Sequence, residues 1–121
     1  MIKLGYRGYK ERKFLKLMTK VSRVGDRFGA NQKTLKDIIR MRGLKKSLLT
    51  PVIKSTRVST EGGLSQVIAY KNSDGITEYV EHVVTNRFGK ILHHDIECVR
   101  LDSGQIIERI EYLRVRLNRR Y

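Results

Sequence analysis

"VGDRFGANQKTLKDIIR", residues 24–40, mixes two kinds of position in one short stretch. Val24, Gly25, Phe28, Gly29, Leu35 and Ile38 are apolar or small, whereas Asn31 to Lys36 crowd hydrogen-bonding side chains together. A helix over 21–28 would set Val24, Gly25 and Phe28 on one side, because residues three and four apart share a face. Gly29 then offers positive φ for a turn. Asn31 can cap the next helix by accepting an orphan backbone N–H, and Leu35 and Ile38 return to the core. The stretch predicts a helix, a three-residue turn and a second helix.

Outward from it the pattern stays helical between Tyr9 and about Leu49, with Phe14, Leu15, Met18 and Val21 at spacings of three and four. "GYRGY" (5–9) before it reads as a flexible basic arm. From Ser65 onward the pattern turns to β. "LSQVIAY", "ITEYVEHVV", "KILHHDIECVRL" and "QIIERIEYLRVRL" are rich in Val, Ile and Tyr, and "KNSDG", "NRFG" and "DSG" between them end in the Gly that tight hairpins favour. Such short loops imply an antiparallel meander. "TPVIKSTRVSTEGG" (50–63) holds the only proline and a Gly pair, so it reads as a connector with one short strand at 52–59.

Charge divides the chain as sharply. Residues 1–57 carry 17 Lys/Arg against Glu11, Asp26 and Asp37, a balance of +14; residues 58–121 carry 9 against 9. All the net charge lies in one half, which points to an acidic polymer as that half's partner. The single Cys98 excludes an internal disulfide and a Cys-rich zinc module, and suits a small apolar side chain in a strand. No apolar run approaches the ~20 residues of a membrane span, and the N-terminus has no uninterrupted apolar signal region. A cytoplasmic protein, nucleoid-associated when bound to DNA, is expected.

The stretch resembles the helix-turn-helix of DNA-binding proteins. That family has a small residue where the helices cross, a Gly opening the turn four residues later, and apolar residues six and nine positions beyond. Gly25, Gly29, Leu35 and Ile38 occupy those positions, with Val24 and Phe28 as adjacent core contacts. The resemblance covers about residues 20–41; the departure is Gly25, where Ala is commoner. It implies a second helix lying in the major groove with Asn31, Gln32, Lys33 and Lys36 facing base edges. Arg23, Arg27, Thr34, Arg40, Arg42, Lys45 and Lys46 would contact phosphates, setting register without reading sequence. Asp37 is expected to face solvent or pair with Lys, and Tyr6, Arg7 and Tyr9 could form a groove-entering arm.

The β half offers a competing chemistry. His82, His93, His94, Asp95 and Glu97 surround one hairpin, and a turn centred near Phe88 would set His82 and His94 opposite each other as half of a metal site. No nuclease signature is complete. The sequence thus predicts an α+β protein: a helix-turn-helix region over 1–50, a connector over 51–63 and an antiparallel β region over 64–121 suited to homodimerisation or partner docking. Its expected function is sequence-specific binding of duplex DNA without a cofactor, as a small transcriptional regulator or accessory protein of a phage or other mobile element. A metal-dependent endonuclease and an RNA-binding protein are the alternatives.

Overall fold

The computed structural model describes residues 2–119, and the side chains of 8–114. A helix α1 (Ile2–Met18) leads into a hairpin of β1 (Ser22–Val24) and β2 (Arg27–Ala30), followed by α2 (Gln32–Met41) and a 3-10 turn at Lys46–Leu48. Four long strands follow: β3 (Thr50–Val58), β4 (Leu64–Lys71), β5 (Thr77–Thr85) and β6 (Ile91–Arg100). The short β7 (Ile106–Arg109) then runs directly into α3 (Ile110–Arg119). All seven strands form one sheet in the order β1-β2-β7-β6-β5-β4-β3. Every pairing is antiparallel except that of β2 with β7, which is parallel.

The class is α+β, but several expected elements change. The helix expected over 21–28 is a β-hairpin, so residues 20–41 run strand, turn, strand, helix and do not form the two-helix motif. Gly25, expected at a helix crossing, is exposed in the hairpin turn at φ 66°. Glycine at the first central position of a two-residue loop makes the primed turn whose twist suits a hairpin. Gly29 lies in β2 without positive φ. An added Cβ there would sit 2.7 Å from Leu113 Cδ1 and 3.2 Å from Ile110 Cα, so glycine is needed for the close passage of α3. "GYRGY" is part of α1, 51–63 is mostly strand β3, and "IEYLRVRL" is helix instead of strand. The sheet is consequently mixed, not a pure antiparallel meander.

Helix α2 forms where the sequence places it. Asn31 accepts the Thr34 N–H at 2.9 Å as N-cap. Gly43 at φ 66° ends the helix, with Gly43 N–H donating to Arg40 C=O and Leu44 N–H to Ile39 C=O, the paired bonds of a Schellman cap. Leu35 and Ile38 are fully buried over the sheet. Beneath lies a cross-strand row of Phe28, Ile107, Val99, Tyr79 and Tyr70. The two tyrosine rings stack at 4.7 Å. Of the spacing-based stripe, Phe14, Met18 and Val21 pack against the core, whereas Leu15 is 62% exposed and Leu17 takes the buried position instead.

The meander's loops share one geometry. At Ser59–Gly63, Asn72–Ile76, Asn86–Lys90 and Leu101–Gln105 the first residue's N–H bonds the fifth residue's C=O, and the fourth residue's N–H bonds the first's C=O. The fourth residue is each time Gly at positive φ. The sequence signal "xxxG" is therefore a conformational requirement, met alike at all of these loops.

Replacing Gly29 by Val should lower stability by about 1–3 kcal/mol, the usual cost of overpacking. Urea denaturation of the two proteins measures it; unchanged stability would mean that α3 does not cross β2 this closely.

Candidate nucleic-acid interface

The two helices on the sheet present the basic surface. Lys10, Lys13, Lys16 and Lys20, three or four residues apart, share one face of α1 and its C-terminal end. With Tyr9 and Leu17 they line a groove whose other wall is Asp37, Arg40, Met41 and Gly43 of the α2 end. Lys33 and Lys36 continue the exposed face of α2 from Arg40 toward its N-terminus. Asp37, the acid of the groove, pairs with Arg40 at 3.4 Å. Lys13 Nζ stands 5.9 Å above the Tyr9 ring.

Several residues expected to touch DNA are used inside the protein instead. Gln32 is bonded through both ends of its amide: Nε2 donates to Ile96 C=O at 2.8 Å, and Oε1 accepts Ile96 N–H at 2.7 Å. The ladder between β6 and β7 ends at Cys98, and β6 bulges against β5 between Ile96 and Cys98. A side-chain amide thus stands in for a strand neighbour. Asn31 is spent as the cap, and Thr34 is 2% exposed, out of reach of a phosphate. Lys33, Lys36, Arg40, Arg23 and Lys45 remain exposed at the surface. Arg27 pairs with Glu108 at 3.3 Å. Tyr6 and Arg7 precede the described side chains, and Tyr9 is exposed on α1.

Arg42 and Lys46 bind buried carboxylates. Arg42 Nη2 lies 3.1 Å from Glu78 and 2.8 Å from Asp102, while its Nη1 donates to Arg100 C=O. Arg100 takes the other oxygen of Glu78 at 3.0 Å. Glu81, 2% exposed, accepts Tyr70 OH at 2.6 Å, Lys46 Nζ at 3.1 Å and His94 Nε2 at 2.6 Å. Burial alone would raise the Glu81 pKa, but the bonds from Tyr70, His94 and Lys46 and the Lys46 charge outweigh it and hold the carboxyl below its ordinary 4.5. Burial, then the Glu81 charge, pushes Tyr79 up to about 12.

The histidines do not assemble as the competing metal-site reading requires. His82 pairs across the sheet with Asp95, and Val83 with His94, so His82 and His94 point to opposite faces. A bulge between Val84 and Thr85 shifts the register that a turn centred at Phe88 would give. His82 Nε2 lies 2.7 Å from Ser65 Oγ, Asp95 3.6 Å from Arg109, and Glu97 accepts Tyr112 OH at 3.0 Å. Among the described residues no group of three or more His, Cys, Asp or Glu side chains is placed to hold a metal. Cys98 is half-buried in β6, where burial and then Glu108 and Glu97 push its thiol up to about 11.

Sequence reasoning missed the α1 lysines as a surface. Their spacing of three and four residues was visible in the sequence. Compared with protein-family models, curated proteins and solved structures, the chain matches none.

Replacing Gln32 by Ala should destabilise the fold by about 1–3 kcal/mol, because two backbone groups of Ile96 lose their partner; chemical denaturation reads it. The Glu81 pKa is depressed in the folded state, so the stability it contributes is present above 4.5 and is lost as pH falls through its lower folded value. Denaturation midpoints followed from neutral to acid pH should show that acid loss in the wild type and a smaller one in Glu81→Gln.

Proposed function

We propose that the chain binds duplex DNA by holding its phosphate backbone against the α1–α2 surface. The observation that carries this reading is the groove walled by Lys10, Lys13, Lys16, Lys20 and Arg40, with Asp37 as its acid. From residue 10 to residue 20 a helical path rises about 15 Å, which matches roughly four phosphates of one strand. The exposed edge of α2, with Lys33 and Lys36, is narrow enough for a B-form major groove, whereas the deep major groove of A-form RNA excludes a helix. Because Asn31, Gln32 and Thr34 are engaged internally, phosphate contact outweighs base reading at this surface. A role in regulation or in the traffic of a phage or mobile element is part of the same proposal, resting on the basic surface alone.

Binding to duplex DNA should weaken steeply with salt, with a log–log slope of roughly −0.9 for each phosphate neutralised. Lys16→Gln with Lys20→Gln should make that slope shallower by about two units, while Arg114→Gln, on α3, should leave it unchanged. Fluorescence anisotropy at several salt concentrations measures both. An unaltered slope in the double variant would remove α1 from the interface, and tighter binding of duplex RNA of the same length would transfer the reading to RNA.

A further inference from the structure

The four meander loops with one backbone geometry provide an internal control on what their side chains are for. At the position before the glycine they carry Glu61, Asp74, Phe88 and Ser103; one residue earlier they carry Thr60, Ser73, Arg87 and Asp102. Polar residues satisfy the turn at three of these loops. The β5–β6 loop alone carries Arg-Phe, although the same backbone bonds form in all of them. Packing does not explain Phe88 either, because it is 80% exposed.

The loop fixes the backbone that carries this ring. Asn86 Oδ1 accepts the N–H of Phe88 at 2.9 Å and of Lys90 at 3.0 Å, and Gly89 at φ 82° closes the turn. The Arg87 guanidinium covers one face of the ring, 4.8 Å from its centroid. Beside the ring a cleft of about 640 Å³ opens between this loop and the β3–β4 loop, lined by Ser59, Glu61, Thr85, Asn86 and Leu92 as well as Arg87 and Phe88. That volume lies within the roughly 300–1,000 Å³ of small-ligand clefts. Polar acceptors and donors beside a flat apolar ring match a nucleobase, which has a π-face and a hydrogen-bonding edge.

We infer that Phe88, backed by Arg87, is a stacking platform for one unpaired nucleobase, so that the preferred ligand is a duplex interrupted by an extrahelical or single-stranded base. The inference rests on the nucleic-acid reading above. Arg87 and Lys90 flank the ring with the charge that a neighbouring phosphate requires. Gln32 docks the first turn of α2 at Ile96 and Arg42 docks its far end, beside the groove, at Arg100, so the path along β6 from the groove to the loop is about 33 Å at ~3.3 Å per residue, roughly ten base pairs of duplex. A duplex of that length spans the distance between the two surfaces. An anionic membrane fits the loop less well, because inserting the ring would carry the stacked guanidinium into hydrocarbon.

The test uses the full chain and two duplexes of one length, one fully paired and one with a single extrahelical 2-aminopurine. The wild type should bind the interrupted duplex about tenfold tighter, as base–aromatic stacking allows, and should quench the 2-aminopurine. Phe88→Ala and Phe88→Leu should abolish both the preference and the quenching while binding paired duplex as before; Phe88→Tyr should retain them. Lys16→Gln with Lys20→Gln should weaken both duplexes equally. Binding without preference for the extrahelical base, or a preference that survives in Phe88→Ala, would overturn this inference and leave the phosphate-binding reading intact. Failure to bind any oligonucleotide would overturn both. Association with phosphatidylserine vesicles that Phe88→Leu preserves and Phe88→Ala removes would assign the loop to a membrane surface instead.

Discussion

The parallel ladder between β2 and β7 is the constraint on which the rest of the structure depends. It sets Phe28, Gly29 and Ala30 beside Ile107, Glu108 and Arg109, bringing the basic first half and the balanced second half into one sheet. A parallel pair needs a long crossover, and here that crossover is α2 with the whole β3–β6 meander. The ladder holds only because Gly29 presents no Cβ to α3, whose Ile110 and Leu113 pass directly over it. On the other side, Phe28 and Ala30 meet the core under α1 and α2. Neither half could bury its apolar residues without the other.

Much of this was legible in the sequence, and the misreadings have a common physical origin. Asn31, Leu35 and Ile38 were read correctly as a cap and buried positions because they depend on local geometry and a 3.6-residue period. The loops at 72–76, 86–90 and 101–105 were legible because their glycines must adopt positive φ wherever the strands go, whereas the one at 59–63 was hidden in the expected connector. Residues 21–28 misled because period-three spacing over eight residues is too short to distinguish a helix from a hairpin. Gly25 and Gly29 also have opposite tasks that look alike in a string: one supplies positive φ and the other supplies space. "IIERIEYLRVRL" misled for the reverse reason, since β-branched and aromatic residues there serve a four-residue strand and then a helix. No local signal marks the change.

The candidate site was less legible because side-chain fate is decided over long sequence separations. Gln32 has the chemistry of a base reader, yet its amide closes on Ile96, because β6 has outrun its β7 partner there and would otherwise leave backbone groups unmet. Arg42 and Lys46 have the charge of phosphate contacts, yet the carboxylates of Glu78 and Glu81 are buried in the sheet and require them. The first half's excess of basic residues is thus not all available to a ligand. Only a three-dimensional view separates cations that hold the fold from those left at its surface.

That separation determines how an anionic polymer would be held. The cations kept for folding include Arg42 and Arg100, whose planar guanidinium groups could have met a base edge with two parallel bonds. The α1 wall of the groove is lined by lysines such as Lys13, Lys16 and Lys20, compact charges on flexible stems that attract phosphate without fixing its register. A lysine-lined groove therefore favours grip over discrimination, and discrimination must come from a rigid element elsewhere. The β5–β6 loop has that rigidity: Asn86 fixes its backbone at two points, and an arginine already rests on the face of its phenyl ring. Grip and recognition then sit at opposite ends of β6, and the strand that joins them is the one to which Gln32 fastens α2.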